Sequence, residues 1–221
     1  MLYRKLQSLL SYLVPIPLKT YHSEWSGRLE INLINGQKVL DTRISNYSYG
    51  ALQKTLYRGL REISFTSQAK QVLVLGMGGG SVIQTLREKF YSTATIDAVE
   101  IDPVVIQIAR EEFQMERYQP LNIIEADAYD FVFECTQNYD IIIVDVFLGN
   151  KIPKKITELD FYQAVLYLLK PGGSMLFNVM KVTYSDEKLE QLLSSFENHP
   201  FTFRVIRNIL RSNHLIIATR N

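Results

Sequence analysis

From Gln71 onward the chain alternates between two hydrophobic periods. Residues 72–75 form an unbroken apolar run, the pattern of a strand covered on both faces. Residues 81–90 follow with Val82, Ile83, Leu86 and Phe90 on one side, which predicts a helix. The same reading predicts strands at 95–102, 121–127, 139–147 and 174–180. Asp102-Pro103 opens a helix, with an acid as cap and proline at the first helical position. A further helix covers 128–135. Thr157-Glu158-Leu159-Asp160 has the form of a capping box and starts a helix that runs to Lys170, where Pro171-Gly172-Gly173 stops it. Ser185 caps the last helix, with Leu189, Leu192, Leu193 and Phe196 on one face. Residues 201–208 and 214–221 read as two strands with no helix between them, so they are expected to pair antiparallel. The repetition predicts an α/β fold, doubly wound around a mostly parallel seven-stranded sheet.

The pattern before residue 66 is different. Residues 28–43 read as a β-hairpin: Leu29, Ile31 and Leu33 alternate with polar residues, and Asn35-Gly36 makes the turn. Residues 47–63 read as a helix with Leu52, Leu56, Leu60 and Ile63 near one face. The expected division is therefore 1–65, a helix, hairpin and helix region, and 66–221, the doubly wound α/β domain. Residues 1–18 begin with basic residues and an apolar stretch, as a signal peptide does. Gln7, Ser8 and Ser11 interrupt that stretch, Pro15 and Pro17 break it, and it is too short to span a bilayer. A short amphipathic helix packed on the domain or on a second subunit is the expectation, with a homodimer as the possible assembly.

Composition narrows the function. The 221 residues carry a formal net charge of +1, which offers no electrostatic footprint for nucleic acid. The single cysteine, Cys135, excludes an intrachain disulfide and fits a reducing compartment, so a cytoplasmic location is expected. A small molecule is the expected partner, with no membrane span and no metal.

In a doubly wound sheet the ligand lies at the carboxyl ends of the strands. The first strand ends in Gly76-Met77-Gly78-Gly79-Gly80-Ser81, the second in Glu100, the third in Asp127 and the fourth in Asp145. Glycines let the backbone approach a ligand closely, and the helix that follows presents free N–H groups. Each acid follows an apolar strand, where an unpaired carboxylate is costly to bury. The turn departs from the dinucleotide fingerprint G-x-G-x-x-G by serine at the last position, and no Gly-Lys-Ser/Thr follows for a phosphate loop. Helix capping is the alternative role for Asp127, and Asp102 is better placed than Glu100 to cap its helix. Loop hydrogen bonds are the alternative role for Asp145, and packing for Tyr49.

"VLVLGMGGG", "VEID", "EADAYDF", "YDIIIVDVF" and "LKPGG" stand in the order found in class I AdoMet-dependent transferases. With "NYSYGALQKTL", the chain most resembles the spermidine synthase group, the polyamine aminopropyltransferases, over about residues 71–180 and more weakly over 35–53. The resemblance implies an AdoMet-methyltransferase-type fold and S-adenosylmethionine or decarboxylated S-adenosylmethionine as co-substrate. It implies that Glu100 binds the ribose hydroxyls and Asp127 the adenine. Gly76, Gly78, Gly79 and Gly80 would hold the tail. Asp145, joined by Tyr49, would orient and deprotonate the attacking amine. Three positions depart from the family pattern. The acid of its glycine loop is Gly79 here, the second acid after strand four is Leu148, and the glutamine after the tyrosine is Gly50. Both lost acids would hold cationic amines. A methyltransferase with a less cationic acceptor is therefore an alternative, and a non-catalytic nucleoside-binding or partner-binding domain another.

Overall fold

The structure, a computed structural model, describes residues 2–42, 46–63, 69–148, 152–209 and 213–221. The expected boundary at 65/66 lies outside the described residues. The chain opens with α1 (Leu2–Leu10) and a four-stranded antiparallel sheet in the order β1-β2-β3-β4: β1 (Ile16–Ser23), β2 (Gly27–Ile34), β3 (Gln37–Thr42) and β4 (Asn46–Ser48). The expected hairpin is β2–β3, turned by Asn35 and Gly36 at φ 52° and 74°. β1 was not expected there. Pro15 and Pro17 read as breakers, but β1 is an edge strand and its register slips between Pro17 and Lys19, where a missing N–H costs little.

α1 is shorter than the apolar stretch predicted. Its end is tied to the β2–β3 turn, where Asn35 N donates to Ser11 O and Gly36 N to Ser11 Oγ. The segment thus rests on the domain through Ser11, as one of the expected arrangements has it, while Leu9 and Leu13 are 69% and 82% exposed. α2 (Gly50–Glu62) starts three residues later than predicted, because β4 pairs with β3 first.

The second sheet has seven strands in the order β10-β11-β9-β8-β5-β6-β7. Its first half is β5 (Gln71–Leu75), α3 (Ser81–Lys89), β6 (Thr95–Glu100), α4 (Pro103–Glu111), β7 (Leu121–Glu125) and α5 (Ala128–Glu134). The chain then returns through β8 (Tyr139–Val144), α6 (Leu159–Tyr167), β9 (Leu169–Met180), α7 (Asp186–Ser194), β10 (Phe201–Ile209) and β11 (Asn213–Arg220). β5 to β9 pair in parallel, while β11 runs antiparallel to both β9 and β10. The winding reverses between β5 and β8, which puts the switch point at the carboxyl ends of those two strands.

Alternate residues of the strands fill two cores. Val72, Val74, Ile141, Ile143 and Leu176 face one layer with Leu56, Leu60 and Leu86. Leu73, Leu75, Ile142, Val144 and Phe177 face the other with Val132, Phe161 and Leu189. Covering both faces is why these strands carry unbroken apolar runs. α2 lies directly on the first face: a Cβ at Gly59 would come within 2.6 Å of Leu176 and 2.8 Å of Leu215. The N-terminal sheet is also pinned to α4. Glu112 accepts from Lys38 (2.8 Å), Tyr21 (2.9 Å) and Lys19 (3.1 Å). Burial pushes this carboxyl up, but the three donors outweigh it and hold the group at about 2.

Two predicted ends move. Asp102 and Ser185 cap α4 and α7 as expected. The capping box does not form: Thr157 Oγ1 bonds Lys154 O inside a 3-10 turn (Lys154–Thr157), and Glu158 gives α6 no side-chain cap. α6 ends at Tyr167 rather than at Lys170, because Leu169 already pairs with Tyr139 and residues 170–173 bulge out of β9.

Arg87 ties α3 to the loops before β6 and β7. Its guanidinium donates to the carbonyls of Ser92 (2.7 Å), Ala94 (2.8 Å), Pro120 (2.8 Å) and Tyr118 (3.3 Å). Arg87→Ala is expected to cost about 2–4 kcal/mol in denaturant melts, with Arg87→Lys recovering less than half, since a point charge cannot serve the fork.

Candidate active site

The glycine turn is held against the neighbouring strand. Gly76 N and Met77 N both donate to Val99 O at 3.0 Å, and Gly76, Gly78 and Gly80 have φ of 83°, 54° and 85°. α3 begins immediately after with no side-chain cap, so its first N–H groups have no capping side chain. Beside the turn a cavity of about 480 Å³ opens at the switch point. Gly76, Gly78, Glu100, Asp127 and Asp145 line it together, so the three strand-end acids and the turn do share one rim.

Glu100 is 5% exposed. Its Oε2 accepts from Gly78 N at 2.9 Å, and Oε1 accepts from Ile101 N at 3.0 Å and Asp102 N at 3.1 Å. Burial pushes the carboxyl up to about 7, against the pull of those donors and with a smaller push from Asp102. The helix cap next door belongs to Asp102, whose Oδ1 takes Val104 N at 2.9 Å while Oδ2 takes Ser23 and Ser26 at 2.5 and 2.7 Å. Asp127 does cap α5, through Tyr129 N at 2.8 Å, and its second oxygen pairs with Lys155 Nζ at 2.6 Å.

Asp145 stands one residue beyond β8, its N–H on Leu75 O at 2.8 Å. Asn178 Nδ2 donates to Oδ1 at 2.8 Å, and no described residue bonds Oδ2. Burial pushes this carboxyl up to about 7, with Asn178 pulling the other way. Asn178 is fully buried in β9, and its own oxygen accepts from Asn213 Nδ2 at 2.8 Å. The relay Asn213–Asn178 therefore fixes which oxygen of Asp145 is held. Neither asparagine was singled out from the sequence. The available signal was a lone polar residue inside the apolar run of "SMLFNVM", near a strand's carboxyl end.

Three expected site residues do not reach the cavity. Tyr49 is 3% exposed, stacked on Phe113 with ring centroids 4.3 Å apart, and its hydroxyl donates to Gly79 O at 3.2 Å. The cause is local: Tyr49 sits at φ 70° before α2, which turns its ring beneath the glycine turn. Tyr47 and Ser48, on β4, line the cavity instead. The Tyr47 hydroxyl lies 3.3 Å from Ser26 Oγ, and burial, then the charge of Glu100, hold it protonated. Gly79 and Gly80 lie behind the turn. A Cβ at 79 would meet Ser48 at 3.1 Å and Phe113 at 3.2 Å, and one at 80 would meet Met115 Sδ at 2.0 Å. Position 79, which the resemblance would fill with an acid, is thus a close contact between the turn and β4. Among the described residues no group of three His, Cys, Asp or Glu could hold a metal, and no helix is long and apolar enough to cross a membrane.

Comparison with known proteins places these features. The family model described as the spermine/spermidine synthase domain matches residues 62–211. A polyamine aminopropyltransferase of Vibrio vulnificus is 33% identical over 133 residues, covering 59% of this chain and 43% of that protein. The eEF1A lysine and N-terminal methyltransferase homolog of Drosophila melanogaster is 28% identical over 163 residues, covering 66% of this chain and 24% of that protein. The structure of a probable spermidine synthase from Corynebacterium glutamicum superposes with a TM-score of 0.66 at 20% identity, covering 92% of this chain and 79% of that one. The chain spans less than half the length of the first curated relatives it matches.

Proposed function

The chain belongs to the spermine/spermidine synthase family, and on that premise we propose that it is a transferase acting on a sulfonium nucleoside. The donor is S-adenosylmethionine or its decarboxylated form, and an alkyl group, aminopropyl in the leading form, passes to an amine. The observation that carries this reading is Asp145: one oxygen is fixed by Asn178, the other has no bond from a described residue, and the group shares a rim with Glu100 and the glycine turn.

The residues fit a nucleoside. Glu100 accepts a ribose hydroxyl: a carboxylate offers about four lone-pair sites, and the backbone takes three of them, which leaves one. Gly76 and Gly78 let the backbone come close to the tail, and Asp127, on the same rim, bounds the adenine. Tyr47 supplies an aromatic wall, and a ring beside a sulfonium adds cation–π attraction. In the transfer, the amine lone pair attacks the carbon bound to sulfur. The C–N bond forms as the C–S bond breaks, the bonding pair goes to sulfur, and Asp145 takes the amine proton.

One observation favours methyl transfer as a second reading. The turn residues that line the cavity, Gly76, Met77 and Gly78, carry no acid, so the turn does not repel the carboxylate of intact S-adenosylmethionine, and the Drosophila relative bears a methyltransferase name. Calorimetric titration with both nucleosides separates the readings. Tighter binding of the decarboxylated form, weakened about 10–100-fold by Glu100→Gln, supports aminopropyl transfer. Clear preference for intact S-adenosylmethionine sinks it, and binding of neither sinks the transferase reading. Nucleoside binding without turnover on any amine would leave the non-catalytic alternative.

A further inference from the structure

We infer that the acceptor carries one positive charge: it is a monoamine whose remainder is apolar, rather than a diamine or longer polyamine. The inference rests on the transferase reading above and names the acceptor class for that same cavity.

The carboxylates of the cavity can be counted completely. Residues outside the described ones include no Asp or Glu, so every acid of the chain is accounted for. Those lining the cavity are Glu100, Asp127 and Asp145. Glu100 gives three of its about four lone-pair sites to backbone N–H groups and the last to the ribose, and Asp127 spends its two oxygens on Tyr129 N and on Lys155. That leaves Asp145 Oδ2, the place for one ammonium. Asn178 and Asn213 hold one side of Asp145, and neither brings a charge; Phe147 and Leu148, which follow it in the chain, and Leu52 and Met180 give the same cavity apolar wall. Among the described residues the other charged side chain on the wall is Lys155, whose charge is taken up by Asp127, so that pair offers no carboxylate to a second ammonium. Seating a second cation there would strip its water without a carboxylate in return. A methyl group at that end loses nothing and gains apolar contact.

The chemistry is unchanged by the inference. The single amine gives its proton to Asp145 and its lone pair to the donor carbon, and sulfur leaves with the C–S electrons.

The test compares n-pentylamine with putrescine, which differ by an ammonium in place of the terminal methyl. Each is titrated calorimetrically at pH 8 into full-length chain saturated with S-adenosylhomocysteine or methylthioadenosine, whichever binds. Turnover with the matching donor is followed by product mass. n-Pentylamine is expected to bind about tenfold or more tighter. Leu148 is partly exposed, so Leu148→Asp should fold, which a thermal melt checks, and it should move the ratio about tenfold toward putrescine. Equal affinity or a preference for putrescine in the unaltered chain overturns the inference while leaving the transferase reading intact. Failure to bind any of the nucleosides overturns the transferase reading instead.

Discussion

Asp145→Asn is expected to lower turnover by about 10²–10⁴-fold while leaving nucleoside affinity within about threefold. Asparagine keeps the shape and can still meet Asn178, but it cannot take a proton. Because burial pushes the Asp145 carboxyl up to about 7, the unaltered enzyme should gain rate steeply with rising pH below that value and level off above it. In Asp145→Asn this limb should vanish. Asn178→Ala should leave it in place but move it to higher pH, since the lost hydrogen bond is what opposes the upward push. A purely structural Asn178 would lower the rate without moving the limb. Steady-state rates across about pH 5–9, roughly two units either side of the midpoint, decide this.

The same shift carries a stability consequence. A carboxyl whose folded value is raised binds more protons in the folded than in the unfolded state over the window between the two values. Its favourable contribution is therefore complete below the ordinary carboxylate range and lost as pH rises through about 7. Ligand-free protein should melt lower at pH 8 than at pH 5.5 on account of Glu100 and Asp145, and Asp145→Asn should lessen that difference. A larger difference in the variant would refute the assignment.

Gly76→Ala is expected to destabilise the fold by about 2–5 kcal/mol and to disable the site with it. The added Cβ would lie 2.4 Å from the carbonyl oxygen of Asp145 and 2.8 Å from its carbonyl carbon. Those are backbone atoms at the end of β8 and cannot swing aside. The residue also holds φ at 83°, where an L side chain is strained. Gly80→Ala makes an instructive contrast. Its nearest obstacle is the Met115 side chain, which can change rotamer, so the loss should be smaller. Urea melts of the two variants rank them, and equal midpoints would refute the role given to the β8 carbonyl. For a chain of this size each kcal/mol corresponds to about 2–4 °C in Tm.

Much of the fold was legible because period and burial are linked. Unbroken runs such as 72–75 and 141–144 are apolar on both sides, and both sides are in fact covered. The antiparallel last pair followed from the lack of a helix between its strands, and it is β10–β11. The gathering of Glu100, Asp127 and Asp145 was legible for the same reason: parallel strands end on one side, so acids that end them share a rim. β1 escaped notice because an edge strand tolerates the prolines that a central strand would not. The capping box at Thr157 had the right letters, yet a 3-10 turn claimed its hydroxyl.

Period and the succession of elements along the chain thus establish the doubly wound sheet and the acids at its strand ends. They do so because one-dimensional spacing maps directly onto sheet faces and strand ends. Three-dimensional packing was needed to choose among neighbours in the loops. Tyr47 enters the cavity and Tyr49 does not, because a single residue at positive φ reverses where a ring points. Asn178 and Asn213 meet at Asp145 only because β11 inserts beside β9, bringing residues far apart in the chain within 2.8 Å. Position 79, whose missing acid was plain in the letters, proved to be a contact with Ser48 and Phe113 once β4 was laid against the turn.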